Sequence, residues 1–583
     1  MIGIEAPIAQ LASIVRYPVK SFSGASLDTV ELIKGRGLPL DRMWAFISPG
    51  QSAPEDGLWV PCSTFERLTI RPLLAGMQAT ANENGVTLQL RDGTSRQVFE
   101  GGTAAINGED VVLARAKIGY WDHEDASLSI INLATVRAIE SSTGVSVDPE
   151  RFRGNLLIEA APWSEFSWVG CRVSIGDAVL DIVRPIDRCR ATSVEPGTGI
   201  IGANIPALLM RHFGHAYCGV YARVATGGKI ASRDSISLAG TTPSEALRSA
   251  ADQATAPKIV DWPRLAIIEK IIEEVSGVRS LHLNDRLATL GAWGNYEPGQ
   301  HIRLHSLTND GTWRAYTVSG YNTETGTLRV TIKRDSGPGS RAIHELSEGA
   351  TVLMSGPFGD MTLDNDAPSV LFLTAGIGIT PAAAMIPVLA GRPALFVHVS
   401  REAKPALWNE VEVTAQNTAN IRAELYTTGS DGAGRPDLAA IAQDAAEAHS
   451  FVIICGPIGF NEAATTSLRA AGVPDDRIAS ETFVSSDIST ELNTPELAGP
   501  FRVRFERSGK EAIWRASDGT LLDLAEANGL LPSSHCRAGL CGSCRAAIIN
   551  GQAVDLREEA SSANQKETLA CCSVPNTDIV LDI

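Results

Sequence analysis

Positive charge is in short supply. Across 583 residues there are 50 Lys and Arg against 67 Asp and Glu, a formal net charge of −17 with a pI near 5.1. A surface of that balance repels phosphate backbones and anionic lipid, so nucleic acid and membrane surfaces are poor partners and a small-molecule substrate is the better expectation. An uninterrupted apolar run is also missing. Residues 367–391 carry no charge, and a bilayer span needs about 20 apolar residues, but Pro368, Pro381 and Pro387 and a central GIGITP break the stretch. It reads instead as a β-type run, VLFLTA, a glycine loop and a proline-initiated helix. The opening MIGIEAPIAQ has neither a basic start nor an apolar signal core, and no repeat of solenoid length is visible. A cytoplasmic chain with reduced thiols is therefore expected. What is present is ample core material, 44 % apolar and 20 % charged residues. At roughly 100–200 residues per domain the length implies about three to five domains.

Two Ala/Ser/Thr/Pro-rich segments read as linkers, 241–258 (TTPSEALRSAADQATAPK) and 485–500 (SSDISTELNTPELAGP), although SEALRSAADQA has the makings of a short helix. The first block alternates short β-type runs (VELI, MWAFI, VTLQL, VVLA, RVSIGDAVLDIV) with Gly, Pro and Asp turns and reads as mixed, mainly β. The middle block starts the same way, with HIRLHS, RAYTVSG and TLRVTIKR. After Asp366 it changes to strand-loop-helix units opened by VLFLTAG, ALFVHVS and FVIICGP, which predicts a parallel sheet behind a β-barrel.

The ten cysteines are unevenly placed: Cys536, Cys541, Cys544, Cys571 and Cys572 crowd the C-terminus, while Cys62, Cys171, Cys189, Cys218 and Cys455 are scattered. His535–Ala546 reads HCRAGLCGSCRA, a CxxxxCxxC spacing, and LACCSV follows at a distance. Three thiolates from one tight loop and a fourth from a distant position match the plant-type ligation of a 2Fe-2S cluster. Gly539, Gly542 and Ser543 suit it, because small residues let the backbone wrap closely and aim N–H groups at anionic sulfur. A structural zinc site usually takes two CxxC-like pairs instead. With its opening FRVRFE and the run TLLDLAEANG, 501–583 resembles plant-type ferredoxins. The resemblance implies a β-grasp fold and makes Cys571, in the L-A-C run, the fourth ligand beside Cys536, Cys541 and Cys544. Cys572 is then a packed neighbour that points the other way if the segment is extended.

Four landmarks occur in order through the middle block. Arg314-Ala-Tyr316-Thr317-Val-Ser319 is an RxYT motif in a β segment. Gly337-Pro-Gly339-Ser340-Arg341 opens a helical segment, where free N–H groups, a hydroxyl and a guanidinium suit a phosphate. Gly376-Ile-Gly378-Ile-Thr380-Pro381 joins a strand to a helix, as a dinucleotide pyrophosphate requires. Cys455-Gly456-Pro457 ends a third strand, and Glu481-Thr482-Phe483 closes the block. Together they resemble the ferredoxin-NADP reductase superfamily. That implies Tyr316 against an isoalloxazine, Arg314 on a flavin phosphate, Cys455 near the nicotinamide and Phe483 near the flavin ring. The order flavin, nucleotide, ferredoxin resembles phthalate dioxygenase reductase, whose flavin is FMN, whereas Gly356-Pro-Phe-Gly-Asp360 is closer to FAD-binding members. FAD is the choice, with FMN as the alternative. After the second strand, Ser400-Arg401-Glu402 offers both a 2′-phosphate binder and an acid, and Arg435 is a further candidate contact. NADH is preferred over NADPH only because reductases of this domain order usually use it.

In the first block, Tyr17-Pro-Val-Lys20-Ser21, Asp41-Arg42-Met-Trp44, Arg151-Phe-Arg153-Gly-Asn155 and Arg184-Pro-Ile-Asp-Arg188-Cys189 stand out. Singly each reads as surface charge or core aromatic. Together they resemble the MOSC fold with its N-terminal β-barrel extension, as in the mitochondrial amidoxime-reducing component and its bacterial relatives. The resemblance implies a molybdenum centre held by a pterin dithiolene and one protein thiolate, a soft donor set. Cys189, in a cationic segment beside Arg188 and Arg184, is expected as that thiolate. Lys20, Ser21, Arg42, Arg153 and Asn155 match positions that hold the pterin and its phosphate. Two departures stand out: Ile186 replaces the first Cys of a frequent Cys-x-x-Cys, and RFRGN replaces FRPN, with Gly154 in place of proline.

The expected architecture is thus multidomain α/β and β. It comprises a MOSC N-terminal β-barrel (8–115), a MOSC domain (116–240), a linker (241–258), a flavin-binding β-barrel (259–363), a parallel α/β NAD(P)-binding domain (364–484), a linker (485–500) and a β-grasp 2Fe-2S domain (501–583). The resemblances imply a self-sufficient reductase passing electrons from NAD(P)H through flavin and 2Fe-2S to the molybdenum cofactor, for reduction of N-hydroxylated compounds. The alternative is a reductase component serving a separate oxygenase, with the MOSC domain as a docking or pterin-carrying element. A third reading makes Cys189 a persulfide carrier, which leaves flavin and cluster without purpose.

Overall fold

The computed structural model describes residues 7–583 apart from 55–57, 90–93, 107, 125–126, 254–255, 286, 289–291, 295, 306–312, 335–337, 390, 429–433, 483–498, 529, 531, 533–543 and 557–565. The expected sites Gly337, Phe483, Cys536 and Cys541 and most of the 485–500 linker lie outside the described residues. Two compact units meet in sequence at Arg264 and Leu265.

The first unit is organised by an eight-stranded sheet in the order Leu156–Glu159, Leu128–Asn132, Tyr217–Thr226, Ala178–Asp187, Cys171–Ile175, Ser235–Thr241, Ala9–Arg16, Ala25–Leu27. Ala9–Arg16 also pairs with Leu156–Glu159, with Leu11 opposite Ile158 and Ile14 opposite Leu156, so the ring closes as a barrel. Closure explains the near-continuous burial of AVLDIVRPI: a strand flanked on both edges and covered on both faces has no solvent side to mark with alternation. Two three-stranded sheets, Trp44–Phe46 with Glu109–Arg115 and Thr103–Ile106, and Ala79–Ala81 with Gly85–Gln89 and Ser95–Phe99, contribute to a second core around Phe22, Trp44, Phe46, Leu88 and Leu113.

Helices interrupt the mainly β pattern at Leu133–Thr143 and Ile205–Phe213. Both are capped locally: Asn132 accepts from Ala134 N and Asn204 from Ala207 N, and Gly144 and Gly214 end them in the left-handed region. The segment expected as a linker holds helices Ser244–Gln253 and Ala256–Asp261.

In the second unit, Arg264–Val275, Val278–Asp285, Thr327–Lys333, Trp313–Asn322, His301–His305 and Thr351–Phe358 form a closed barrel. A five-stranded, all-parallel sheet follows, in the order Ile421–Thr427, Ala394–Ser400, Val370–Ala375, Phe451–Gly456, Ile478–Thr482. Chain direction across the sheet reverses between its first and fourth strands, Val370–Ala375 and Phe451–Gly456. Their C-terminal ends therefore flank the topological switch point, where open α/β sheets bind ligands. The C-terminal segment forms a mixed sheet in which Phe501–Phe505 runs parallel to Ile579–Leu581 and antiparallel to Lys510–Trp514, covered by the helix Leu521–Ala527.

Candidate functional site

A cavity of about 490 Å³ in the first unit gathers segments far apart in sequence. Lys20, Ser21, Arg42, Arg153, Asn155, Arg188 and Cys189 all line it. The barrel delivers Cys189 two residues past the end of Ala178–Asp187, at the start of a 3-10 turn whose Thr192 N–H and hydroxyl bond back to the Cys189 carbonyl at 3.1 and 2.9 Å. Ser21, Arg42 and Arg153 are each in the left-handed region, at φ 70°, 50° and 52°. Non-glycine residues adopt it rarely, and such conformations concentrate at ligand sites.

Arginines dominate the electrostatics. The Tyr17 ring lies 4.3 Å from the Arg153 guanidinium and 5.0 Å from that of Arg42. Arg42 donates to the buried Asp41 carboxylate and, at 3.0 Å, to the Arg153 carbonyl. Arg153 donates to the Phe22 carbonyl at 2.7 Å, yet its Nη2 is buried with no hydrogen-bond partner among the described residues. Burial brings the Arg153 pKa down to about 10, with the neighbouring Arg42 acting in the same direction. A desolvated cation with an unmet donor is a fitting place for an anionic group. Lys20 donates to the Tyr120 carbonyl at 2.9 Å and to Asp122 at 2.7 Å, and its ammonium holds the Asp122 carboxyl well below the usual range.

Three expected residues differ in what they do locally. The Asn155 amide oxygen accepts from Ser129 N and Oγ at 3.2 and 3.0 Å, and its nitrogen donates to the Val15 carbonyl at 3.2 Å. It ties barrel strands together in the cavity wall. Arg188 bonds the Cys218 carbonyl at 2.8 Å and the Phe152 carbonyl at 3.0 Å, bracing the backbone. Neighbouring cations do not make Cys189 a ready thiolate. Its surface is open to the cavity, yet the packing around the sulfur pushes the thiol up, and Asp122 and Asp187 reinforce that against Arg188. A bound metal would have to displace the proton. Gly154 answers the missing proline: a Cβ there would overlap Ile131. Asp122, His123 and Tyr221 carry no motif; they line the cavity with Lys20 and Cys189 only in the folded chain.

In the second unit the strand Val370–Ala375 passes through a 3-10 turn, Gly376–Gly378, into the helix Ile379–Met385. A Cβ on Gly378 would overlap the Cys455 carbonyl, so only glycine lets the turn approach Cys455-Gly456 across the switch point. Thr380 donates to the Ile377 carbonyl at 3.1 Å, Pro457 caps the helix Ile458–Ala470, and Cys455 is fully buried with its thiol pushed up by that burial. Ser400 is buried at the end of the second strand, and Arg401 and Arg435 are exposed. On the barrel, Arg314 and Tyr316 lie opposite Leu304 and Ile302, half-buried, and the buried Thr317 hydroxyl beside them has no partner among the described residues, as a flavin contact would leave it. Ser319 instead joins a hydroxyl chain with Thr331 and Ser280, at 2.9 and 2.8 Å. Ser340 donates to the Lys333 carbonyl at 3.1 Å, and Gly339 lies in the helix Pro338–His344. The motifs did not single out Arg303, whose guanidinium packs 4.5 Å from the Trp313 ring and 4.3 Å from that of Phe358.

The buried Cys544 and Cys571 sulfurs come within 3.1 Å of one another with no disulfide between them. Two unbridged thiols 27 residues apart in sequence and brought side by side fit a sulfur-ligated cluster. Ala570–Cys572 is a 3-10 turn rather than an extended segment, and Cys572 is buried in the core with its sulfur 3.5 Å from the Leu569 carbonyl.

Three families match by sequence: a MOSC domain over residues 106–237, an oxidoreductase FAD-binding domain over 269–363, and a 2Fe-2S iron-sulfur cluster binding domain over 505–576. An NADPH oxidoreductase of Mycobacterium tuberculosis is 31 % identical over 310 residues, 50 % of this chain and 78 % of that protein. A glycine betaine monooxygenase reductase subunit of Pseudomonas aeruginosa is 30 % identical over 325 residues, 49 % of this chain and 87 % of that one. Among solved structures, phthalate dioxygenase reductase is similar at 23 % identity over 57 % of this chain and 100 % of that chain, with a TM-score of 0.37. The chain spans about half, 48 %, of an intact type IV self-sufficient cytochrome P450 monooxygenase, at 22 % identity over 69 % of this chain and a TM-score of 0.42. No helix among the described residues is long and apolar enough to cross a membrane. Behind a MOSC domain, the chain belongs to the family of oxidoreductases that join an FAD-binding reductase domain to a C-terminal 2Fe-2S domain.

Proposed function

We propose that the chain is a self-sufficient NAD(P)H-dependent reductase of N-hydroxylated compounds, with the MOSC cavity as its catalytic end. The overall change is R–NHOH + NAD(P)H + H⁺ → R–NH₂ + NAD(P)⁺ + H₂O. What carries the reading is the convergence on one cavity of Cys189, Lys20, Arg42 and an Arg153 with an unmet donor. When bound, FAD turns a hydride into single electrons, the 2Fe-2S cluster passes them on, and pterin-held molybdenum supplies oxygen-atom chemistry. The residues supply the rest. Cys189 is the protein thiol for the metal, Arg153, Arg42 and Lys20 hold the anionic pterin, and Asn155 and Arg188 keep the walls in place. Arg314, Tyr316 and Thr317 are the flavin contacts, and the Gly376–Gly378 turn with Cys455-Gly456-Pro457 receives the dinucleotide. Cys544 and Cys571 are two of the four cluster ligands. The domain division proposed keeps 259–363, 364–484 and 501–583 from the sequence reading, but joins 9–27 to 116–240 rather than to the rest of 8–115, because Ala9–Arg16 and Ala25–Leu27 pair within the eight-stranded sheet.

Metal analysis of Cys189→Ala tests the proposal: molybdenum should be lost while nicotinamide-driven cytochrome c reduction persists. The reading fails if molybdenum-containing protein oxidises NAD(P)H with a dye yet leaves a panel of hydroxylamines and amidoximes unchanged. A second reading is favoured by the relatives whose names place them as reductase subunits of monooxygenases and a demethylase. In it the second unit serves a separate oxygenase, and Cys189→Ala would leave that partner's turnover intact.

A further inference from the structure

We propose that Arg67 forms an anion subsite in the cavity of the first unit, so that the preferred substrates are N-hydroxylated compounds carrying a carboxylate; this rests on the reading of that cavity as the catalytic end. The Lys and Arg side chains lining the cavity are Lys20, Arg42, Arg67, Arg151, Arg153 and Arg188. All but Arg67 are engaged. Lys20 is paired with Asp122, Arg42 with Asp41 and Arg151 with Glu195, Arg188 is spent on backbone carbonyls, and Arg153, with its unmet donor, is assigned to the pterin. Arg67 lies outside the motifs that match pterin-holding positions and makes no ion pair among the described residues. Its Nε donates to Thr69 Oγ1 at 3.1 Å, Nη1 reaches the Cys62 carbonyl only at 3.5 Å, and Nη2 has no partner among the described residues. Cys62 and Thr69 line the cavity too, so the guanidinium is held at its wall.

The acid next to Arg67 in sequence does not neutralise it: Glu66 is buried and ion-paired with Arg71. The backbone on either side is fixed. Glu66 N donates to the Phe46 carbonyl at 2.8 Å, and the Arg67 carbonyl accepts from Ile70 N and Arg71 N at 3.0 and 2.8 Å. Phe65 is fully buried, with its ring 4.4 Å from that of Tyr120. A half-buried cation held in place by its own backbone, and lacking a counter-charge, takes an incoming anion without first breaking an internal pair. Guanidinium offers parallel N–H groups to a planar two-oxygen partner, so carboxylate is the matching anion. Leu68 and Trp121, buried residues that line the same cavity, offer apolar surface to the rest of such a molecule.

Holoprotein given 4-carboxybenzamidoxime or its neutral match, 4-carbamoylbenzamidoxime, tests this by steady-state reduction and by calorimetric titration. Expected is a kcat/KM at least about tenfold higher for the carboxylate, with correspondingly tighter binding. Arg67→Met should raise the KM for the carboxylate at least about fivefold more than that for the carboxamide, and Arg67→Lys should restore part of the difference. Molybdenum content should stay at the level of the unaltered chain in both variants. Equal use of the two amidoximes by the unaltered chain, or variants that weaken both alike, would overturn the inference while leaving the reductase reading in place. Loss of molybdenum from folded Arg67→Lys would also overturn it, by assigning Arg67 to the cofactor. If neither amidoxime is reduced, the reductase reading falls and titration decides alone: tighter, Arg67-dependent binding of the carboxylate keeps the subsite, and equal binding removes it.

Discussion

Arg42 and Glu165 show how single buried charges govern the first unit. Arg42 neutralises Asp41, whose other oxygen accepts from Tyr17 N at 2.8 Å. Replacing Arg42 by Leu leaves that carboxylate buried and unpaired, so Arg42→Leu should destabilise the unit by about 3 kcal/mol in denaturant titration. Glu165 is fully buried, with Oε2 accepting from Asn132 and Thr135 at 2.9 and 3.0 Å and Oε1 lacking a partner. Burial raises its pKa from 4.5 to about 7. The native state therefore holds a proton that the unfolded chain releases above pH 4.5. Stability contributed by this group is full below about pH 4.5, falls as pH rises, and is lost above about 7, a change on the order of 3 kcal/mol. Glu165→Gln should flatten that part of the stability profile between pH 5 and 8; an unchanged slope would count against it.

At the scale of elements, junctions matter more than the strands and helices they join. Gly378 sits where a turn crosses the end of a neighbouring strand, and the obstructing atoms are backbone, which cannot rotate away. Gly378→Ala should therefore cost roughly 2 kcal/mol or more and weaken nicotinamide binding at least about tenfold, measured by flavin reduction against nucleotide concentration. The helix Leu521–Ala527 opens with a reciprocal cap in which Thr520 and Asp523 satisfy each other's backbone N–H groups. Thr520→Ala should lower the stability of the C-terminal domain by about 1 kcal/mol, read from loss of the cluster's visible absorbance on heating. Propensity is divided at Arg264–Val275: RLAIIEKIIEEV mixes helix formers such as Leu265, Ala266 and Glu269 with the β-branched Ile267, Ile268, Ile271, Ile272 and Val275, and it is the first barrel strand. Its partner Val278–Asp285 follows a tight turn at Gly277, and pairing with it decides between the two preferences.

For the whole molecule, the division at Arg264 and Leu265 separates two cores that do not share strands. A fragment beginning at Pro263 should retain nicotinamide-driven cytochrome c reduction within about twofold of the full chain, because the barrel, the parallel sheet and the C-terminal domain are all kept. It should lose any reduction of N-hydroxylated compounds. Loss of both activities would mean that the second unit depends on the first for folding.

Cysteine spacing, the RxYT motif and the glycine turn were legible without coordinates, because each needs particular residues at short, fixed intervals along the chain. The CxxxxCxxC spacing points to a cluster, and the resemblance to plant-type ferredoxins adds Cys571 from the L-A-C run, while the GIGITP turn contains Gly378. Helices such as Leu133–Thr143 were not legible, since their capping residues Asn132 and Gly144 read equally well as turn residues between strands. Nor was Asp122 beside Lys20, or the raised Cys189 thiol: these depend on distances across a closed barrel and on how much water it excludes. Local chemistry is written in the order of residues, so the sequence by itself determined the order of the modules and which residues are candidates for their sites. Burial and charge compensation arise only when distant segments meet, so the tertiary structure alone decided which arginines have partners, which acid keeps its proton, and which residues share the cavity with Cys189.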